Sequence, residues 1–137
     1  MTTRTTLLLT SLALQEADSG APVRIEPPDQ REDWKDLREV RFLAFSGDGK
    51  TLVTASDDTV CRWNSTTGER LLRFRPFNIL SMDVSPDGGS AAIGEGDDQA
   101  FCVFDLKNGK RLKRIAQEDQ ARWLRFSPDG QTLAEGG

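Results

Sequence analysis

The sequence predicts an all-β chain assembled from repeated four-stranded antiparallel units. Three observations carry this reading. The pentapeptide Phe45-Ser46-Gly47-Asp48-Gly49 returns as Val84-Ser85-Pro86-Asp87-Gly88 and again as Phe126-Ser127-Pro128-Asp129-Gly130, in steps of 39 (45 to 84) and 42 (84 to 126) residues. Each copy follows one alternating apolar run and precedes another, the pattern of a strand–turn–strand unit. An Asp-Asp pair then recurs in the first two units, at Asp57-Asp58 and Asp97-Asp98. Self-similarity at such a period marks a stacked repeat architecture.

In the first unit, Val40 to Phe45 is a short apolar-rich run, and the turn Ser46-Gly47-Asp48-Gly49-Lys50 follows. Asp and Gly supply the side-chain capping and the positive φ that a tight hairpin requires. Thr51 to Ala55, with its β-branched residues, reads as the second strand. Asp57-Asp58 makes the next turn, Thr59 to Trp63 the third strand, Asn64 to Gly68 a further turn, and Arg70 to Arg75 the fourth strand. The second unit repeats the order. Its strands are Ile79 to Val84, Ser90 to Gly94, Gln99 to Phe104 and Arg111 to Ile115, with turns at Asp97-Asp98 and Asp105 to Lys110. A third unit begins with a strand at Ala121 to Phe126, turns at Ser127 to Gly130 and starts its second strand at Thr132.

Four short strands per unit, with Trp63 and Phe104 set 41 residues apart, is the layout of a β-propeller blade. The residues resemble the WD-repeat family. The Trp-Asp pair that closes the third strand in that family stands here as Trp63-Asn64 and Phe104-Asp105, and the Ser-Pro-Asp-Gly and Asp-Asp turns also match. The resemblance implies a partial β-propeller, an incomplete ring, over residues 34–137: a first blade at about 38–75, a second at about 76–116 and part of a third at about 117–137. In the family a His, a Ser or Thr, an Asp and the Trp join in a buried hydrogen-bond relay. The matching residues are Thr54, Asp57 or Asp58, and Trp63 in the first blade, and Asp98 in the second, where Phe104 cannot donate. The family's Gly-His dipeptide is replaced by Phe74-Arg75 and Ala116-Gln117. Blade cohesion is therefore expected to rest on apolar packing and ladder hydrogen bonds more than on the relay.

A propeller closes with about 4–8 blades, so a ring is not completed by these repeats alone. Three explanations stand: the N-terminal piece of a longer propeller, several copies closing a ring together, or a short open array. The first leads, because the sequence stops inside a hairpin, after Thr132-Leu133-Ala134-Glu135. The outer faces of the terminal blades are expected to be bare, and self-association through such unpaired faces is expected with them.

Composition narrows the function. The chain has 137 residues, 22 acidic against 18 basic, for a net charge of −4, and no histidine. No basic field draws a phosphate backbone, so nucleic acid is not an expected partner, and no apolar run approaches the ~20 residues of a membrane span. Without histidine, Ser–His–Asp and Cys–His catalysis and His-ligated metals are excluded. The N-terminus carries Arg4 and then the apolar stretch Thr5 to Leu14, which has the shape of a secretory signal. The site Ala17-Asp18-Ser19 suits cleavage, whereas Ser19-Gly20-Ala21 precedes an obstructive Pro22. Residues 1–33 thus read as a signal-like or disordered segment whose latter part, 15–33, is a linker; cytoplasmic and exported locations both stay open.

The remaining candidates have plain structural readings beside the functional ones. Cys61 and Cys102 occupy equivalent positions in adjacent blades. They are expected to be too far apart for a disulfide and to serve as buried hydrophobes. The basic rows Arg70, Arg73, Arg75 and Lys107, Lys110, Arg111, Lys113, Arg114 suit an acidic partner, but on outermost strands a solvated, edge-protecting row is the simpler reading. Glu95-Gly96-Asp97-Asp98 lacks the ligand count of a cation site. Trp123 in the innermost strand of the third unit can line a recognition channel, though Phe42 in the same slot points to core packing. No catalytic motif and no cofactor site is visible. The resemblance implies a non-catalytic protein–protein interaction scaffold with a protein or peptide partner, not an enzyme. The alternatives are the propeller portion of an enzyme or exported ligand-binding protein, and a truncated fragment without independent function.

Overall fold

The computed structural model describes residues 39–137 together with two short strands nearer the N-terminus, β1 (Leu7–Leu9) and β2 (Val23–Ile25). These two pair antiparallel, with Leu7 opposite Ile25 and Leu9 opposite Val23. The rest of the expected signal-like segment and linker lies outside the described residues.

Ten strands follow, one for each strand expected from the sequence. β3 (Phe42–Phe45), β4 (Thr51–Ala55), β5 (Val60–Asn64) and β6 (Arg70–Phe74) form one antiparallel sheet in that order. β7 (Ile79–Val84), β8 (Ser90–Glu95), β9 (Ala100–Asp105) and β10 (Arg111–Ala116) form the second, and β11 (Trp123–Phe126) pairs with β12 (Leu133–Gly136). Among the described residues the chain is all-β, a stack of two four-stranded blades and one strand pair, with no closed ring. β11 starts later than its sequence pattern suggests. Ala121 is held instead by the second blade, where Ser81 Oγ donates to its carbonyl at 2.5 Å.

The recurring pentapeptide folds the same way three times. Ser46 Oγ donates to Asp48 Oδ1 at 2.6 Å, the Lys50 N–H donates to the same oxygen at 2.9 Å, and the Thr51 N–H returns to Ser46 Oγ at 3.1 Å. Ser85, Asp87, Gly89 and Ser90 reproduce this set, as do Ser127, Asp129, Gln131 and Thr132. Gly49, Gly88 and Gly130 each sit at a φ of 70° or 71°, a conformation that a Cβ disfavours. The Ser hydroxyl first, and then the backbone N–H, hold the carboxyls of Asp48, Asp87 and Asp129 below the usual carboxylate range.

The first and second blades meet through apolar side chains. Val53, Ala55 and Val60 pack with Ile79, Val84, Ala91, Ile93, Cys102 and Phe104, flanked by Phe42 and Phe74. Each fully buried Val or Ile contributes roughly 1.5–3 kcal/mol. The Phe74 and Phe104 rings lie 5.3 Å apart at 36°. Backbone contacts fasten both rims: the Ile79 N–H donates to the Asp57 carbonyl at 2.7 Å, and the Gly47 N–H to the Pro86 carbonyl at 2.6 Å. The second and third blades share a smaller cluster of Ala92, Phe101, Ala121 and Leu124, and its latches are polar. Besides the Ser81–Ala121 bond, Asp83 Oδ2 accepts the Phe126 N–H at 2.6 Å. A methyl group on Gly94 would collide with both the Ala121 carbonyl and Ser81 Oγ.

One expectation is corrected. The outward face of the first blade is not bare: Leu52, Thr54, Cys61 and Trp63, which alternate with the residues turned to the second blade, are each buried. Leu52 and Trp63 are large apolar groups whose exposure to water is unfavourable, so their burial stabilises this face.

Two outcomes are expected. Gly94→Ala should lower stability by about 1–3 kcal/mol, the usual cost of forcing atoms into a filled site, read as a reduced urea midpoint. Gly136→Ala, whose methyl would lie 3.9 Å from Trp123, should leave the midpoint unchanged. The lowered carboxyls set the second outcome. Their contribution is present above an unfolded pKa of about 4 and is lost as pH falls through the lower folded values. Between pH 6 and pH 3 the urea midpoint should fall, and the combined Asp48→Asn, Asp87→Asn and Asp129→Asn variant should show a smaller fall than the wild type.

Candidate functional site

The residues singled out from the sequence divide into a buried pair and a set of surface fastenings. Trp63 and Thr54 lie on one face of the first blade, and Trp63 Nε1 donates to Thr54 Oγ1 at 2.9 Å with both side chains buried. In the second blade the residue opposite Cys102 is Ile93, as Thr54 is opposite Cys61. Ile93 and Phe104 therefore replace Thr54 and Trp63, and donor and acceptor are lost together. Such a matched exchange leaves no orphaned polar group.

Asp57, Asp58 and Asp98 do not reach that pair. Asp57 forms an ion pair with Arg41, Asp58 Oδ2 accepts from Arg75 at 2.5 Å, and Asp98 accepts from Arg114 Nε and Nη2 at 2.9 and 2.6 Å. Arg75 follows β6 and Arg114 lies in β10, so these pairs tie the outermost strand of each blade to the turn after its second strand. The Arg75 bond first, with Thr59, holds the Asp58 carboxyl below the usual range. All of these groups are substantially exposed, and each pair contributes little. Asp105 caps the next turn, accepting the Lys107 N–H at 2.7 Å, and Asn64 does the same for Thr66 and Thr67 at 2.9 and 3.1 Å.

The other candidates are largely absorbed by the frame. Glu95, Asp97 and Asp98 turn to different partners: Cys102, Asn78 and Arg114. Cys61 and Cys102 are buried and are not joined in a disulfide. Burial, and then Glu95, pushes the Cys102 thiol up, which keeps it protonated and unreactive. Arg111, Lys113 and Arg114 are exposed along β10, a sheet edge, where charge discourages further pairing. Arg70 and Arg73 are half-buried and engaged in the first blade.

What is left open lies where the innermost strands meet. Trp123 and Phe42 both stand three residues before their pentapeptide turn, yet they differ in fate. Phe42 packs against the first core cluster, whereas Trp123 is 75% exposed. Trp123 borders a concave groove of about 630 Å³ with Phe42, Leu80 and Met82 along its walls and Arg122 and Arg125 beside it. A second recess, about 590 Å³, is formed by the loop Arg75-Pro76-Phe77-Asn78 with Asp57, Asp58 and Asp97. There Phe77 is 69% exposed, and Asn78 holds a φ of 45°. Sequence reasoning missed Phe77, Arg122 and the latch residue Asp83. An aromatic between Pro76 and Asn78, inside turn chemistry, was the available sign for the first of these.

The buried pair generates a test. Thr54→Val leaves the Trp63 N–H without its partner and should cost about 1–3 kcal/mol. Thr54→Ile combined with Trp63→Phe, which copies the second blade, should cost less than the sum of the two single changes. Urea unfolding of Thr54→Val, of Thr54→Ile and Trp63→Phe singly, and of their combination checks this, and strict additivity would show that the two residues are not coupled.

Comparison with known proteins agrees with this geometry. The family described as WD domain, G-beta repeat matches residues 35–64. The chain is 32% identical over 99 residues to eukaryotic translation initiation factor 3 subunit I of Scheffersomyces stipitis, covering 70% of this chain and 28% of that protein. It is 29% identical over 100 residues to WD repeat-containing protein 3 of Mus musculus, covering 72% of this chain and 10% of that protein. The chain thus spans well under half the length of either relative. Hydrazine synthase of Kuenenia stuttgartiensis superposes with a TM-score of 0.60 at 22% identity, over 68% of this chain and 27% of that one, a likeness of fold. The family match runs to Asn64, which caps its turn in the place of the repeat's closing aspartate, and the blade it covers is stacked on another built alike: residues 35–64 match a WD repeat, and the four-stranded blades are of the kind that repeat builds.

Proposed function

We propose that these blades act as a non-catalytic scaffold for protein–protein interaction and that the groove at Trp123 is a contact surface. The observation that carries this is Trp123 itself, a large aromatic side chain standing open to solvent beside a preformed concave wall. Aromatic side chains in such positions are the usual anchors of protein interfaces. The groove is built on paired strands of neighbouring blades, so it is held in shape before a partner arrives, which lowers the ordering cost of binding. Most of the candidate polar groups are committed elsewhere, with the carboxylates in turn caps and ion pairs and the Cys102 thiol kept protonated. One relative bears the name of a subunit of an initiation factor. A subunit works through contact with other chains, which supports the same reading.

Affinity capture with the 137-residue chain tests it, run in parallel with Trp123→Ala and Phe77→Ala. At least one protein should be retained by the wild type and by Phe77→Ala and lost with Trp123→Ala. Capture of no specific protein, or an identical profile for all three, would overturn the proposal.

A further inference from the structure

We infer that the groove at Trp123 takes an extended segment of a partner protein in which acidic residues flank a large apolar one; this rests on the interaction reading above. The argument is one of shape and charge together. The walls are apolar at Phe42, Leu80, Met82 and Trp123, so they suit a side chain that gains by leaving water. The charged residues that line the groove are Arg122 and Arg125, and among its described lining residues there is no carboxylate. In a chain of net charge −4 this is a local reversal of sign. The Arg125 side chain forms a long ion pair with Asp83 Oδ1 at 3.6 Å yet stays 83% exposed, so most of its donors remain open to a further carboxylate. Asp83 is itself sunk in the fold and turned to the Phe126 N–H. Both guanidinium groups can therefore meet carboxylates in charge-assisted hydrogen bonds while the apolar residue lies on Trp123.

The surroundings add discrimination. The neighbouring cleft, about 1080 Å³, is bordered by Asp97, Asp98 and Asp119 and by Arg114 and Arg122, with Asp98 paired to Arg114, so Arg122 stands between the two recesses. The carboxylates left over, Asp97 and Asp119, favour a basic segment there over an acidic one. A second copy of this chain suits the groove poorly. A two-fold contact across Trp123 would set Arg122 and Arg125 against their own counterparts, bringing like charges together.

The test uses the 137-residue chain and fluorescence polarisation of three probes. They are a short synthetic peptide with a central Phe among Asp and Glu, the same peptide with Lys in place of the acids, and a single-stranded RNA oligonucleotide. The acidic peptide should bind at least ~10-fold more tightly than the lysine peptide. Trp123→Ala should weaken it by about 10-fold or more. Arg122→Glu should weaken it and flatten its salt dependence. Thermal melts should show both variants folded, as their exposed positions imply. Equal or tighter binding of the lysine peptide or the RNA would overturn the assignment. So would a concentration-dependent blue shift of tryptophan emission without peptide that Trp123→Ala abolishes, which would make a second copy the occupant. If no peptide binds but affinity capture still depends on Trp123, the acidic assignment falls and the scaffold reading stands.

Discussion

A four-stranded blade has two faces, and neither can be covered by the blade's own strands. This constraint shapes the described structure. The face of the first blade that carries Val53, Ala55 and Val60 disappears only when Ile79, Ile93 and Phe104 of the second are laid against it. The second blade's other face needs Ala121 and Leu124 in turn. Stability in such a stack is the sum of each blade's own cohesion and the contacts with its neighbours. Single-residue fits at the junctions therefore count for as much as the ladders within a sheet.

The two junctions meet this demand differently. Between the first and second blades the contact is mostly apolar, with backbone bonds at the rims and one side-chain bond, from Arg62 Nη1 to the Leu106 carbonyl at 3.1 Å. Between the second and third it is a smaller apolar cluster pinned by Ser81 and Asp83, and the absence of a Cβ at Gly94 lets the Ala121 carbonyl approach. Within each blade the same economy holds. Thr54 and Trp63 satisfy each other in the first, and Ile93 and Phe104 dispense with both polar atoms in the second. Two sequences that look unequal in their match to the family thus each leave this position without an orphaned polar group.

The candidate site is a by-product of this stacking. Bringing three innermost strands side by side sets Phe42, Met82 and Trp123 along one concave wall. Phe42 is taken up by the second blade, and Trp123, at the same place in its own unit, is left to solvent. The turns of the frame are capped by Asp48, Asp87 and Asp129. The surface it presents at Trp123 carries two arginines in a chain that is acidic as a whole.

The strands and turns were readable because the rules that make them are local. Alternating apolar residues, Ser and Asp two positions apart, and Gly at positive φ act within a few residues, and each expected strand has its counterpart. The recurrence of that local pattern was enough to identify blades, and the equivalence of Cys61 and Cys102 followed from it. The partners of Asp57, Asp58 and Asp98 could not be read this way. An aspartate beside a turn has the same local signature whether it enters a buried relay or pairs with Arg41, Arg75 or Arg114, and only the placement of the distant arginine settles which. The same holds for Trp63 and Trp123. Period-two alternation assigns a side chain to one face of a strand, but burial depends on what covers that face, and covering is a contact between residues far apart in the chain.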